Sequence, residues 1–226
     1  MYRTHLPGLL LMSLVATATA CQPAPQPEPD PLPEQMIPQF EVDPSWPALP
    51  NDWILGSVAS VDVAADDHVW IYHRPRSVDE EQQANAAPPV LEFDADGTFI
   101  QAWGGPGDGY DWPANEHGIE VDDKENVWVG GNSGDPSDDM LLKFTHEGEF
   151  VMQIGGSGTS GGNTDTDNLK RPAEASVYPD TGEVFVADGY GNRRVIVLDA
   201  ETGEYKRMWG AFGHDPIEAS AEQPMA

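Results

Sequence analysis

Apolar and polar residues alternate in short runs along most of the chain, and Asp, Gly or Asn residues bound each run. Such alternation predicts half-buried β-strands, with one face on a core and the other in water. The clearest runs are "VWI", "VWV" and "VFV", which begin at Val69, Val127 and Val184. No stretch carries the period of a convincing amphipathic helix. The pattern therefore predicts an all-β protein.

The strand pattern recurs three times, with a period in the fifties and insertions between the constant parts. Each unit closes on "WGG", "IGG" or "WGA", which begin at Trp103, Ile154 and Trp209. "DADG", "HEGE" and "AETGE" are predicted hairpin turns, because Asp and Gly tolerate the positive φ that such turns need. Each unit is thus four strands, and repeated four-stranded units are typical of a β-propeller. A β-sandwich of short strands is the alternative, which the shared period disfavours.

The recurring "V-W-V … F-x-x-x-G-x-F … W-G-G" pattern resembles NHL-type six-bladed propellers, and three units within residues 56–211 make an incomplete ring. Two interpretations of the three units are possible: the chain is a fragment of a longer gene product, or it is an open arc that needs a partner. The fragment is favoured, because an open arc exposes sheet edges and apolar surface that invite aggregation. Residues 39–55 are expected to add a lead-in strand or an edge cover, and residues 212–226 an irregular tail.

The N-terminus predicts export. Residues 1–21 comprise a short start, an apolar run and the sequence "ATAC", which ends at Cys21, the single cysteine of the chain. The segment resembles a bacterial lipoprotein signal, with lipidation at Cys21, and plain secretion is the alternative. Residues 22–38 alternate proline with polar residues, which predicts an extended, disordered tether. We therefore expect a protein of the periplasm or cell envelope, anchored by lipid.

Charge restricts the partners. Acidic residues outnumber basic ones 39 to 11, for a formal net charge of -28. A nucleic-acid groove or an anionic membrane surface would repel this charge, so nucleic acid is excluded and membrane contact is expected only through the anchor. The excess favours solubility over attraction of cations as its main effect. A protein partner is left open.

Three residues with useful chemistry stand at matching places in the predicted units. Arg74 follows a second strand in "IYHRP", His117 begins a first strand in "NEHGI", and Tyr190 follows a second strand in "ADGYGNRR". First-strand starts and second-strand ends lie at the same end of an antiparallel pair. We therefore expect all three side chains at one rim of the propeller.

The same residues resemble the core of peptidyl-α-hydroxyglycine α-amidating lyase, a six-bladed NHL propeller with a catalytic zinc. The matching stretches are "YHR" at 72–74, "NEHGI" at 115–119 and "VADGYGNRRV" at 186–195. The resemblance implies that His117 binds zinc and that Tyr190 is the catalytic base or positions the substrate hydroxyl. It also implies that Arg74, with Arg194, binds the carboxylate of a small peptide substrate. The implied reaction cleaves a C–N bond and releases glyoxylate.

The chain departs from the family pattern in ways that affect activity. One histidine does not hold a catalytic zinc, which normally takes three protein ligands. Gly191 stands where the family has a cysteine. We therefore expect this chain alone to be inactive. The family's structural calcium is also implied, without assignable ligands, and the loop at 155–168 is interpreted as a flexible connection and not as a calcium site.

Simpler interpretations stay open for each rim residue. His117 is alternatively a loop-capping residue, and Tyr190 a packing residue at a blade corner. Arg74 is alternatively a structural ion-pair partner of Asp62, Asp66 or Asp67. For the whole protein, the alternative to an enzyme is a surface-tethered propeller that binds proteins or glycans without catalysis.

Overall fold

The computed structural model describes residues 38–217. Residues 38–42 belong to a first unit that ends at Val42, and they are exposed and without regular secondary structure. The second unit begins at Asp43 and holds all the strands of the described chain. The predicted signal segment, Cys21, most of the tether and the end of the tail lie outside the described residues. Within the described range, no helix is long and apolar enough to cross a membrane.

Twelve strands form three antiparallel sheets of four, which we call blades one, two and three. Each blade takes four consecutive strands in chain order, and short 3-10 helices lie at Pro75–Ser77, Glu80–Asn85 and Ala211–Gly213. The strands are β1 Ser57–Val63, β2 Val69–Arg74, β3 Val90–Phe93, β4 Phe99–Trp103, β5 Glu116–Val121, β6 Val127–Gly131, β7 Met140–Phe144, β8 Phe150–Gly155, β9 Glu174–Tyr178, β10 Glu183–Asp188, β11 Arg194–Asp199 and β12 Tyr205–Trp209.

The predicted repeat is confirmed strand by strand. The "VWI", "VWV" and "VFV" cores are the second strands β2, β6 and β10. The three predicted hairpin turns join the third and fourth strand of each blade, with φ of 82°, 81° and 73° at Gly97, Gly148 and Gly203. The described residues therefore form three blades of an NHL-type β-propeller, and these three sheets do not close into a ring.

The central strands are more deeply buried than alternation alone predicts. Every residue of β3, β6 and β7 is buried, although a half-buried strand would expose every second side chain. The reason is that both faces of these strands are covered. Blade two packs between its two neighbours, and residues from 46 to 55 cover the free face of blade one. This segment makes isolated bridges and forms no strand.

The blades meet through different side chains on the two sides of blade two. Between blades one and two lie large side chains, including Trp70, Tyr72 and Phe144. Between blades two and three the core is mostly aliphatic, with Trp128 as its large aromatic side chain. Burial of such side chains contributes about 1.5–3 kcal/mol for each large residue, so packing supplies most of the inter-blade stability.

The first strands of successive blades are also linked by carboxylates at repeat-equivalent positions. Asp62 Oδ2 of β1 accepts a hydrogen bond from the Val121 amide of β5 at 2.6 Å. Glu120 Oε1 of β5 accepts one from the Val177 amide of β9 at 3.1 Å. The strands β1, β5 and β9 therefore lie side by side, which fixes the relative position of residues far apart in sequence.

The two ends of each blade are distinguished by the strand ends and turns that lie there. We call the end at which β2, β6 and β10 finish the rim end, and the end at which they begin the hairpin end. The antiparallel pairing places the starts of β5 and β11 at the rim end and the turn 64–68 at the hairpin end.

Candidate functional site

The rim end joins blades two and three through a histidine and a tyrosine. The His117 Nε2 atom lies 2.9 Å from the Tyr190 hydroxyl, and the two ring centroids are 5.0 Å apart at 72°. His117 Nδ1 lies 2.8 Å from the Ala173 carbonyl oxygen. Because a carbonyl oxygen only accepts hydrogen bonds, Nδ1 carries the proton and Nε2 accepts the hydroxyl proton of Tyr190. The pair is therefore oriented for proton transfer.

Arg74 lies next to this pair, at the end of β2. Its Nε atom donates to the main-chain oxygen of Glu116, the residue before His117, at 2.9 Å. Among the described residues this is the one hydrogen bond of the guanidinium, so its terminal nitrogens remain available for a ligand. The structure thus brings together the three side chains that the sequence places at one rim, from three different blades.

The alternative ion pairs for Arg74 are not formed. Asp66 and Asp67 lie in the turn between β1 and β2, at the hairpin end, and Asp62 bonds the Val121 amide. An arginine with free terminal nitrogens matches a carboxylate in two-point contact. The placement of Arg74 is therefore compatible with the predicted substrate contact, which stays a prediction.

Arg194 does not join the rim group. It is buried, and its Nε donates to Asp188 Oδ2 at 2.9 Å. Its terminal nitrogens donate to main-chain carbonyls of the 155–168 loop, at Asn163 (3.1 Å), Asp165 and Asn168 (2.6 Å). With the guanidinium committed to the protein, the predicted substrate contact of Arg194 does not fit the structure. The residue instead ties a long loop to blade three.

The same network shapes the segment that carries Tyr190. Asp188 is fully buried and accepts hydrogen bonds from the Lys170 amide at 2.8 Å and from Asn192 Nδ2 at 2.7 Å. A Cβ atom at Gly191 would lie 2.3 Å from Lys170 Cγ, so the chain packs closely where the family has a cysteine. Glycine is therefore required here unless Lys170 moves.

Glu174 is a rim residue that the sequence analysis missed. Its carboxyl lies against the backbone of Gly118, so a Cβ atom at Gly118 would be 2.9 Å from Oε1. Although Glu174 as a residue is exposed, burial of its carboxyl group away from water, with the nearby Glu120 and Asp62 carboxylates, raises its pKa to about 7. A carboxyl that titrates near neutrality at the rim end is a candidate proton acceptor or donor. Glu174 begins β9 as Glu116 begins β5, and this strand-start position was the available sequence signal.

Among the rim residues, His117 is the one that could serve as a zinc ligand. The Nδ1–H group of His117 bonds a carbonyl, as in many metal-bound histidines, so Nε2 is the nitrogen that could bind a metal. In this structure Nε2 instead accepts the Tyr190 hydroxyl proton. His73 offers no second ligand, since Nδ1 accepts from the Gly56 amide and Nε2 bonds the Pro88 oxygen. A different group at the hairpin end, Asp66, His68 and Glu92, has potential ligand atoms within 4.8 Å of one another. The sequence analysis did not identify it.

Known proteins similar to this chain include NHL-repeat proteins and amidating lyases. No protein-family model matches the chain. The chain is 27% identical to the mouse NHL repeat-containing protein 3 over 73% of its own length and 44% of that protein. It is 28% identical to peptidyl-alpha-hydroxyglycine alpha-amidating lyase 1 of Drosophila melanogaster, over 74% of this chain and 31% of the fly protein. Over 95 residues it is 32% identical to the rat peptidylglycine alpha-amidating monooxygenase, which covers 42% of this chain and 9% of that protein.

The chain therefore spans less than half the length of these relatives. The matches agree with the repeated four-stranded sheets that the structure contains. In sequence the chain is similar to NHL-repeat proteins and to peptidyl-α-hydroxyglycine α-amidating lyases, and its three four-stranded sheets are those of an incomplete NHL-type propeller.

Proposed function

We propose that Arg74, His117 and Tyr190 form the substrate-binding and proton-transfer part of an amidating-lyase-type active site. The substrate class is a peptide that ends in α-hydroxyglycine. The observation that carries the proposal is the 2.9 Å contact between His117 Nε2 and the Tyr190 hydroxyl, with Arg74 held beside it by Glu116.

The proposed reaction follows from the roles of these side chains. Arg74 binds the terminal carboxylate through its terminal nitrogens, which orients the α-carbon toward Tyr190. Tyr190 passes its proton to His117 Nε2 and removes the proton of the substrate hydroxyl. The new C=O bond forms as the C–N bond breaks, and the leaving amide nitrogen takes the proton that His117 Nε2 accepted, which restores both side chains. The products are a peptide amide and glyoxylate, so atoms and charge balance.

Zinc belongs to this proposal as the group that would make the substrate hydroxyl more acidic when bound. His117 Nε2 is the atom of the rim that suits zinc as a ligand, so zinc binding and acceptance of the Tyr190 proton are alternative roles of this atom. One imidazole falls short of the usual three protein ligands, so this chain alone is expected to bind the substrate without turnover. Structural calcium is retained as a proposal without assigned ligands.

An open cleft borders Pro75 and Glu116, the chain neighbours of Arg74 and His117, although none of the three proposed site residues lines it. It has a volume of about 650 Å³, and its lining includes Trp53, Pro75, Trp112 and Glu116. Aromatic and proline side chains give a mostly apolar surface, which suits the residues that precede the hydroxyglycine.

Calorimetric titration with benzoyl-α-hydroxyglycine tests the proposal. The wild-type chain is expected to bind, and Arg74→Gln is expected to weaken binding about 10- to 100-fold, because a charge-assisted contact is lost. Tyr190→Phe should retain binding, and in a chain that supplies the remaining zinc ligands it should reduce glyoxylate release at least about 100-fold. Tyr178→Phe, an exposed tyrosine of the same blade, is the control. Absence of binding, or equal affinity in Arg74→Gln, would exclude the proposed site.

The second candidate is a non-catalytic platform that binds a protein. It is favoured by an apolar stretch of β1, where Val58, Val61 and Val63 are each about half exposed. If this candidate is right, the hydroxyglycine peptide does not bind and replacing these valines leaves the fold intact.

We also propose export with a lipid anchor at Cys21, which predicts that Cys21→Ser abolishes labelling by a radioactive fatty acid.

A further inference from the structure

We propose that Asp66, His68 and Glu92 bind a divalent transition-metal ion at the hairpin end, in a site separate from the rim. Their ligand atoms lie within 4.8 Å of one another. Asp66 and His68 come from the turn between β1 and β2, and Glu92 comes from β3. The proposal does not depend on the proposed function, because it uses none of the rim residues.

The three ligand atoms already have nearly the spacing of a metal site. His68 Nδ1 lies 2.7 Å from Glu92 Oε1 and 3.1 Å from Asp66 Oδ2. Tetrahedral zinc with bonds of about 2.0–2.1 Å separates its ligand atoms by about 3.3 Å. To open the site, His68 Nδ1 would move about 0.6 Å away from Glu92 Oε1 and about 0.2 Å away from Asp66 Oδ2. The side chains of His68 and Asp66, at 30% and 48% exposure, have room to do so. Loss of the Nδ1 proton then frees the lone pair of His68 to bind the ion.

Neighbouring groups hold the ligands in position, as in established metal sites. Glu92 is 1% exposed, and its Oε2 atom accepts a hydrogen bond from Gln101 Nε2 at 2.6 Å and lies 2.8 Å from His146 Nε2. These contacts turn Oε1 toward His68. Asp66 Oδ1 accepts the His68 amide at 3.1 Å, which leaves Oδ2 for the ion. One oxygen of each carboxylate is thus fixed and the other converges on His68.

The surroundings provide room and charge for a cation. A cavity of about 60 Å³ lies next to the group and has room for one or two waters; Asp66, Glu92 and His146 border it, whereas His68 does not. Asp122, Asp123 and Glu125 border the same cavity. A dication that replaces the shared proton of His68 would neutralise the two ligand carboxylates. Binding should therefore release protons and tighten as pH rises from 6 to 8.

The donor set decides the class of ion. Calcium and magnesium prefer sites made of oxygen atoms, whereas an imidazole with carboxylates suits zinc, cobalt, manganese or iron.

The ion would fix the turn of blade one against β3. His146, in the turn after β7, would link the site to blade two through Glu92. Metal binding is thus expected to stabilise the junction of these two blades.

The experiment is titration of the full chain, carrying Cys21→Ser so that no thiolate competes, with Co²⁺ at pH 7.5. We expect one equivalent to bind with visible d–d absorption bands and to raise the melting temperature. Asp66→Asn and His68→Gln, both at accessible positions, should each weaken binding at least about 10-fold. His214→Gln, an exposed histidine near the end of the described chain, is the matched control and should bind as the parent does.

The His117→Gln variant separates this site from the rim. If Co²⁺ binding survives in His117→Gln and is lost in His68→Gln, the ion lies at the hairpin end. If binding is lost in His117→Gln alone, or if no variant changes it, the proposal is wrong. Absence of any Co²⁺ absorption in the parent chain with an unchanged melting temperature also overturns it, and this result says nothing against peptide binding at Arg74.

Discussion

Two buried carboxylates, Asp188 at the rim end and Glu92 at the hairpin end, are satisfied in different ways. Each accepts hydrogen bonds from three groups at 2.6–2.9 Å. Asp188 faces Arg194, whose charge is permanent at any physiological pH. Glu92 faces His68 and His146, whose charge depends on pH and which also bind metals. The first arrangement suits a fixed scaffold, and the second suits a site that responds to protons or ions.

The largest expected effect comes from removing the permanent cation. Arg194→Met leaves Asp188 buried without a partner charge and frees three carbonyls of the 155–168 loop, so the free energy of unfolding should fall by about 3–5 kcal/mol. The loss should be the same at pH 6 and pH 8. Urea denaturation measures it, with Arg193→Met at the adjacent exposed position as the control. A loss of unfolding free energy below about 1 kcal/mol would mean that the buried Asp188 carboxylate is stabilised without Arg194.

A smaller and pH-dependent effect is expected for Glu92→Gln. The hydrogen bond to Glu92, followed by the Asp66 charge, raises the pKa of His68 above its usual 6.5. The stability from this contact is therefore fully present below pH 6.5 and declines as pH rises through the higher folded pKa. We expect a loss of about 2 kcal/mol at pH 5.5 and a smaller loss at pH 8.5. Glu147→Gln, an exposed neighbour of His146, is the control, and a loss that is equal at both pH values would contradict this account.

Glu174 extends the comparison to a carboxyl with no cation beside it. Because burial of the carboxyl and the neighbouring carboxylates raise its pKa to about 7, ionisation costs stability above that pH. Its contribution is intact below about pH 4.5 and is lost as pH rises to 7 and beyond. Glu174→Gln should therefore stabilise the protein at pH 8 by about 1 kcal/mol or less, after solvent screening is considered. Denaturation at pH 4 should show no gain, and a gain there would exclude this cause.

The sequence was sufficient for the strands, the hairpins and the shared rim, because these follow from local periodicity and from antiparallel pairing. The sequence was insufficient to predict that Arg194 is buried and bonded to the protein, although Arg194 lies in the same motif as Tyr190. Carbonyls from a loop some thirty residues earlier decide its burial, and a loop of Gly, Ser and Asp carries no periodic signal. Glu92 was visible as one acidic residue in the apolar run "VLEF". Its histidine partners lie 24 and 54 residues away, so only the fold brings them together.

The state of His117 tests the central claim most directly, that the rim side chains form one prepared proton-transfer site. A long-range ¹H–¹⁵N spectrum of the imidazoles reports which nitrogen carries the proton. We predict an Nδ1–H tautomer for His117 at pH 7.5, with an Nε2 resonance that shifts in Tyr190→Phe and not in Tyr178→Phe. An Nε2–H tautomer, or an Nε2 resonance that ignores the loss of the Tyr190 hydroxyl, would contradict the account.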